Sequence, residues 1–323
     1  MDSPRNSRPP LDADCQALLD GLAAGGGGID KPDHHQMRAG YNAANPAFNP
    51  PTPDLASVEN STAPGDGARQ PDVPIRIYRP RFAPAVAPAL VFFHGGGWVM
   101  GDLESHDALC RIVAARSDAV VIAVDYRLAP EHRFPAAVED CEHAWRYIAE
   151  NARRLDVDPA RLAVGGDSAG GNLAAVIARR LRDAGGVQPV FQALIYPATD
   201  FTAEGGSLVE NAEGYFLTKA AIDLVSSMYV PDAGARKNPD ASPLLAGDLA
   251  GLPPALVQVA GYDPLRDEGV AYADRLREAG VTVELIEYPT VVHGFMRMIK
   301  PVAMAQAALD DYAAALRRVF RGA

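Results

Sequence analysis

From about residue 73 onward, short runs of β-branched and aromatic residues alternate with stretches of helical period. That alternation restricts the fold more than any other property of the chain. Residues 73–80 (VPIRIYRP) set Val73, Ile75 and Ile77 against Pro74, Arg76 and Tyr78, the period of a half-buried strand. Residues 89–94 (ALVFFH) and 119–126 (AVVIAVDY) are near-continuous apolar runs, as strands covered on both faces require. Further strands are expected at 161–167, 190–197, 255–263 and 281–289. Helices are expected between them. Residues 106–116 carry Leu109, Ile112 and Val113 on one stripe, and 135–155 repeat Val138, Cys141, Trp145 and Ile148 behind Pro135. Residues 170–185, 218–229, 267–280 and 302–320 follow, the last with Leu309, Tyr312, Leu316 and Val319 in register. The fold class that follows is α/β: a doubly wound, mostly parallel sheet with helices on both faces. In such sheets ligands sit beyond the carboxyl ends of the strands, so the residues just after each strand matter most.

The first seventy-one residues read differently. Residues 11–24 suit one short helix with Asp12 or Asp14 near its start, while Gly25–Gly28 interrupt the segment. The Pro-rich tract from Pro46 to Pro71 reads as an extended connection rather than a packed element. The whole segment is expected to drape over the body, because an amphipathic helix needs a surface on which to bury its stripe. A net charge of −11 argues against a nucleic-acid binder, which needs a basic footprint. No apolar stretch nears the roughly 18 residues of a membrane span, and the first ten residues lack a secretory core. Three cysteines, Cys15, Cys110 and Cys141, make no disulfide framework. The expectation is a soluble, cytoplasmic protein with small-molecule chemistry.

Three post-strand segments carry reactive groups. Gly166-Asp167-Ser168-Ala169-Gly170-Gly171 joins a strand to a helix. A serine on such a sharp turn needs small residues two positions either side, and its hydroxyl then stands above the sheet edge. A bland reading, in which Ser168 only caps the helix, is weakened by the strand before it and the helix after it. His94-Gly95-Gly96-Gly97-Trp98 offers bare amides that can approach a developing oxyanion, joined by the amide of Ala169. His94 itself reads as a loop-ordering residue. Among the seven histidines, His293 alone falls in a loop after a late strand at the correct sheet edge. Asp263 closes the strand 255–260 and is favoured as the acid, with Asp267 and Glu268 as alternatives. The order Ser168…Asp263…His293 is that of α/β-hydrolases.

These residues, with HGGGW (94–98), YRLAPEHRFPAAVED (126–140), GDSAGGN (166–172), YDPLRDEG (262–269) and HGF (293–295), resemble the hormone-sensitive-lipase-like esterases, also called bacterial family IV. The likeness runs from about residue 73 to the end. It implies an α/β-hydrolase fold with a small helical cap and a serine carboxylesterase acting on short- to medium-chain acyl esters. Ser168 would be the nucleophile, His293 the base and acid, and Asp263 its orienter, with Gly96, Gly97 and Ala169 as oxyanion donors. Arg127 and Glu131 would be structural residues beneath the site. The implied division is a cap segment at 1–50, a core at 51–199, a cap insertion at 200–235 and the rest of the core at 236–323. The reading includes no cofactor, no metal and no nucleic acid; the partner is a small-molecule ester, and a homodimer is a further expectation. Activity should rise through roughly pH 6–7 as the histidine becomes neutral. The rival readings are an amide or formamide hydrolase using the same residues, and a non-catalytic receptor on the same fold, which the presence of His293 disfavours.

Overall fold

A computed structural model describes residues 8–24, 33–67 and 70–322; the expected interruption at Gly25–Gly28 lies outside the described residues. The strands are β1 (Ser57–Ala63), β2 (Val73–Arg79), β3 (Ala87–Phe93), β4 (Val120–Val124), β5 (Val157–Asp167), β6 (Gln192–Ile195), β7 (Ala255–Tyr262) and β8 (Val283–Val292). The helices are α1 (Ala13–Ala24), α2 (His34–Ala43), α3 (Asn45–Phe48), α4 (Asp107–Ser117), α5 (Ala136–Glu150), α6 (Ala169–Ala184), α7 (Ser207–Glu210), α8 (Lys219–Tyr229), α9 (Arg266–Glu278) and α10 (Ala303–Gly322). The strands form one sheet in the order β1-β2-β4-β3-β5-β6-β7-β8. Pairing is parallel from β4 through β8, and antiparallel where β2 joins β4 and β1 joins β2.

Every residue of β3, β4 and β7 is buried, which explains the apolar sequence of β3 and β4; in β7 the one polar side chain, Gln258, donates to Tyr288 Oη and Ala308 O. Successive side chains leave opposite faces, so β3 sends Val91 and Phe93 to one core and Leu90 and Phe92 to the other. The first core is covered by α5, α6 and α9 through Val138, Trp145, Leu173, Ile177, Tyr272 and Leu276. The second is covered by α4 and α10 through Leu109, Ile112, Leu309, Tyr312 and Leu316. The stripes visible in the sequence are therefore the buried faces. Among the described residues no helix is long and apolar enough to cross a membrane.

The N-terminal segment does drape over the body. Cys15 of α1 is buried, Asp12 N donates to Thr290 O at 2.8 Å, and Asp14 Oδ2 accepts from Ala303 N at 3.0 Å. In α2, Arg38 binds Val99 O, Ala129 O and both Glu131 oxygens. The tract from Pro46 to Pro71, expected as an extended connection rather than a packed element, contributes packed elements. Residues Asn45–Phe48 close a helical turn on buried Phe48, and Ser57–Ala63 pair along β2 as an edge strand. Its sequence, SVENSTA, shows no apolar alternation because only Ala63 enters a core and Val58 packs at the edge of the other; main-chain bonds to β2 and the bond from Arg76 Nε to Asn60 Oδ1 hold it. The short α7 also lies outside the expected set. With α8 and the N-terminal helices, it contributes to a cap over the carboxyl ends of the strands.

Trp145 is almost fully buried between α5 and the sheet, and its Nε1–H donates to Val187 O at 2.9 Å. Trp145→Ala is expected to lower stability by about 3–5 kcal/mol through the cavity it leaves. Urea unfolding checks this, and the specific activity of the folded fraction should stay unchanged because the side chain is remote from the strand ends that carry Ser168 and His293.

Candidate functional site

Ser168 is the one residue between β5 and α6, and its backbone is strained, with φ 54° and ψ −116°. Its own amide donates to Ile195 O at 2.8 Å, and its carbonyl accepts from Asn172 N at 3.0 Å, so both neighbouring elements hold the turn. The turn fits only because Gly166 and Gly170 lack side chains: a Cβ on either would overlap the Phe93 carbonyl at the end of β3. This is the close approach that the sequence spacing implied.

Three other strand ends meet this turn. His293 follows β8, and its Nε2 lies 2.9 Å from Ser168 Oγ. Its Nδ1 lies 2.7 Å from Asp263 Oδ2, just after β7. A carboxylate only accepts, so Nδ1 carries the proton and the Nε2 lone pair faces the serine hydroxyl. Asp263 is fully buried, and its other oxygen accepts from Leu265 N at 2.8 Å. The alternatives lie elsewhere. Asp267 accepts from Ser207 N and pairs with Arg266, fastening α7 to α9. Glu268 accepts from the amides of Thr199 and Asp200 at 2.6 and 3.2 Å.

The glycine loop after β3 completes the arrangement. Gly96 and Gly97 have φ of +121° and +63°, and both line the cavity that contains Ser168. Among the described residues, no turn or cap hydrogen bond uses the amides of Gly96, Gly97 or Ala169. His94 is buried and its Nδ1 donates to Gly95 O at 2.8 Å; burial, with His106 nearby, pulls its pKa down to about 4. It orders the loop as a neutral imidazole. Cys141 and the other two cysteines are free and buried among core residues.

Two parts of the site were not visible in the sequence. Asp167 is buried; its Oδ1 accepts from Gly95 N at 2.8 Å, and it also meets His106 Nε2 at 3.1 Å. Burial opposes its charge, but His106 and the Gly95 amide outweigh that and bring its pKa below the ordinary carboxylate value. The residue thus ties the glycine loop to the serine turn. Asp167 stands in the GDSAGGN stretch immediately before Ser168, but its burial and its bond to the glycine loop come only from the fold. The cap wall is the second omission: Val225 of α8 sits about 3.0 Å from where a Cβ on Gly97 would lie, and Trp98 stacks on Tyr229 at 4.8 Å. Only the fold brings these residues together.

Burial lifts the Glu268 carboxyl to about 8, against 4.5 when unburied. A raised folded-state value means that its proton stabilises the fold below pH 4.5 and that this contribution is lost as the pH climbs through about 8. Glu268→Gln, neutral throughout, should lose less stability over that interval, the difference growing by up to about 1.4 kcal/mol per pH unit. Urea midpoints at pH 5, 7 and 8 for both proteins check this; a constant difference would contradict it.

Comparison with known proteins agrees with this geometry. The family described as alpha/beta hydrolase fold matches residues 90–297. Carboxylesterase NlhH of Mycobacterium tuberculosis is 40% identical over 328 residues, covering 98% of this chain and 99% of that protein. Esterase LipI of the same organism is 47% identical, covering 84% and 85%. The structure of a hyperthermophilic esterase from Pyrobaculum calidifontis superposes with a TM-score of 0.90 at 40% identity, over 96% of this chain and 99% of that one. A serine on a strained strand-to-helix turn, backed by histidine and a buried carboxylate in a chain so similar to esterases, leads to one family: this chain belongs to the α/β-hydrolases, as a carboxylic ester hydrolase related to the hormone-sensitive-lipase-like enzymes.

Proposed function

We propose that the protein hydrolyses short- to medium-chain acyl esters through Ser168, His293 and Asp263, with the amides of Gly96, Gly97 and Ala169 as oxyanion donors. The observation that carries this reading is the unbroken hydrogen-bond chain Asp263–His293–Ser168 beside three amides that, among the described residues, no turn or cap hydrogen bond occupies. The Ser168 proton passes to His293 Nε2 as Oγ attacks the acyl carbon. The negative charge that develops on the carbonyl oxygen is then met by preorganised amides, each contributing about 3 kcal/mol to lowering the barrier. Asp263, away from water, balances the imidazolium. His293 then returns its proton to the departing alcohol oxygen, and water repeats the sequence on the acyl-enzyme. Beside the glycine loop the cavity wall is apolar, with Val225 against Gly97 and Trp98 against Phe201, which suits an alkyl chain of limited length.

Ser168→Ala and His293→Ala should each lower kcat on 4-nitrophenyl acetate by about four to six orders of magnitude while circular dichroism stays native. Asp263→Asn should cost about 10⁴-fold, whereas Asp267→Asn should remain within about tenfold of the parent. A His293→Ala enzyme with undiminished turnover would remove the base from this scheme. Faster turnover of a simple anilide than of the matched ester would assign the site to amides instead.

A further inference from the structure

The direction of proton transfer divides the cavity. The leaving alcohol must lie against His293 Nε2, so the residues on that side belong to the alcohol portion of the ester. Gly294, Arg297 and Met298 follow His293 and line the cavity. Phe216 lies 3.4 Å from where a Cβ on Gly294 would sit, and Phe48 meets Phe216 edge-on at 6.5 Å. This arm is apolar except for one group.

Arg297 is only 5% exposed. Its Nε donates to Ser105 O at 3.2 Å, and its Nη2 to Tyr41 O at 2.8 Å and Asn45 Oδ1 at 3.1 Å. The guanidinium stacks 3.6 Å from the centre of the Tyr41 ring, another residue of the cavity wall. All of these partners are neutral. Among the described residues, Arg76, Arg127, Arg179 and Arg266 each pair with a carboxylate, and Arg297 pairs with none. A buried cation without a counter-charge is costly to keep. Three of its five N–H donors are used, and the two on Nη1 remain.

We propose that Arg297 forms a carboxylate subsite in the leaving-group arm, so that the substrates include esters whose alcohol portion bears a carboxylate near the ester oxygen. This rests on the serine-esterase reading above, since His293 defines the arm. Arg297 ends the 3₁₀ turn Phe295–Arg297, four residues beyond His293, and both residues line the same cavity. A carboxylate held by Arg297 therefore belongs to the alcohol portion of an ester whose leaving oxygen faces His293. The Nη1 group, carrying part of the delocalised charge, can donate a charge-assisted hydrogen bond to a carboxylate. Acidic side chains also line the cavity, but each is engaged. Asp167 is held by His106 and Gly95, Asp200 accepts from Thr202, Asp223 pairs with Lys219, and Glu268 is held by two amides.

The test compares acetoxyacetate with its neutral counterpart acetoxyacetamide, which differ only at the distal group. The parent enzyme should show a kcat/KM at least about tenfold higher for the anion, and Arg297→Gln should abolish that preference. The readout is the ratio of the two substrates, because loss of the bonds to Tyr41 and Asn45 lowers both rates alike. A purely structural role for Arg297 would leave that ratio at the parent value in the variant, and that result overturns the proposal. Equal or faster turnover of the amide by the parent enzyme overturns it as well. Should the variant fail to fold, competitive inhibition of the parent decides: glycolate should inhibit at least about tenfold more tightly than ethylene glycol, and equal inhibition contradicts the subsite. An inactive parent on 4-nitrophenyl acetate would fault the esterase reading itself, and this inference with it.

Discussion

The contact between the serine turn and the end of β3 governs the site. Phe93 O stands where a side chain on Gly166 or Gly170 would have to go, so β5 and α6 can close onto β3 only through those two glycines. That close approach holds Ser168 at a positive φ, a conformation that costs about 1–3 kcal/mol when a non-glycine residue adopts it. The parallel sheet and the helices buried on its two faces offset this cost. The same contact sets the glycine loop beside the serine, because Gly95 to Gly97 continue directly from Phe93. Asp167 then bonds the two segments with one carboxylate. Ser168 and the glycine-loop amides, the proposed nucleophile and oxyanion donors, are thus positioned by one packing event rather than by two independent loops.

Support for the other side of the site comes from further along the chain. β7 ends at Tyr262 and presents Asp263; β8 ends at Val292 and presents His293. These neighbouring parallel strands bring the two side chains within 2.7 Å with little freedom to drift. The N-terminal helices are fastened around them by Arg38 to the loop after Gly97 and by Arg297 to Tyr41 and Asn45. The cap is therefore anchored through the same two segments that carry the glycine loop and His293. The cavity wall and the proposed reacting groups share their supports.

Much of this was legible from the residues alone, and the reasons are physical. Strands buried on both faces are largely apolar, so β3 and β4 announce themselves. A turn that must admit neighbouring backbone writes glycine at fixed offsets from Ser168. The chain order of Ser168, Asp263 and His293 adds the fold, and the favouring of Asp263 over Asp267 followed from its place at a strand end. Other features left no periodic trace. β1 is an edge strand held by main-chain bonds, so SVENSTA needed no pattern. The roles of Asp167, Glu268 and Arg297 depend on burial and on partners tens to hundreds of residues away, which spacing cannot reveal.

The central claim is spatial: the carbonyl oxygen of a substrate bonded to Ser168 must be received by the glycine-loop amides while His293 stays in contact with Asp263. A crystal structure of the enzyme inactivated with a short alkyl phosphonate tests it directly. The account expects phosphorus on Ser168 Oγ and one phosphoryl oxygen about 2.7–3.1 Å from the amides of Gly96, Gly97 and Ala169. Phosphorus on another side chain, or a phosphoryl oxygen turned away from those three amides, would contradict it.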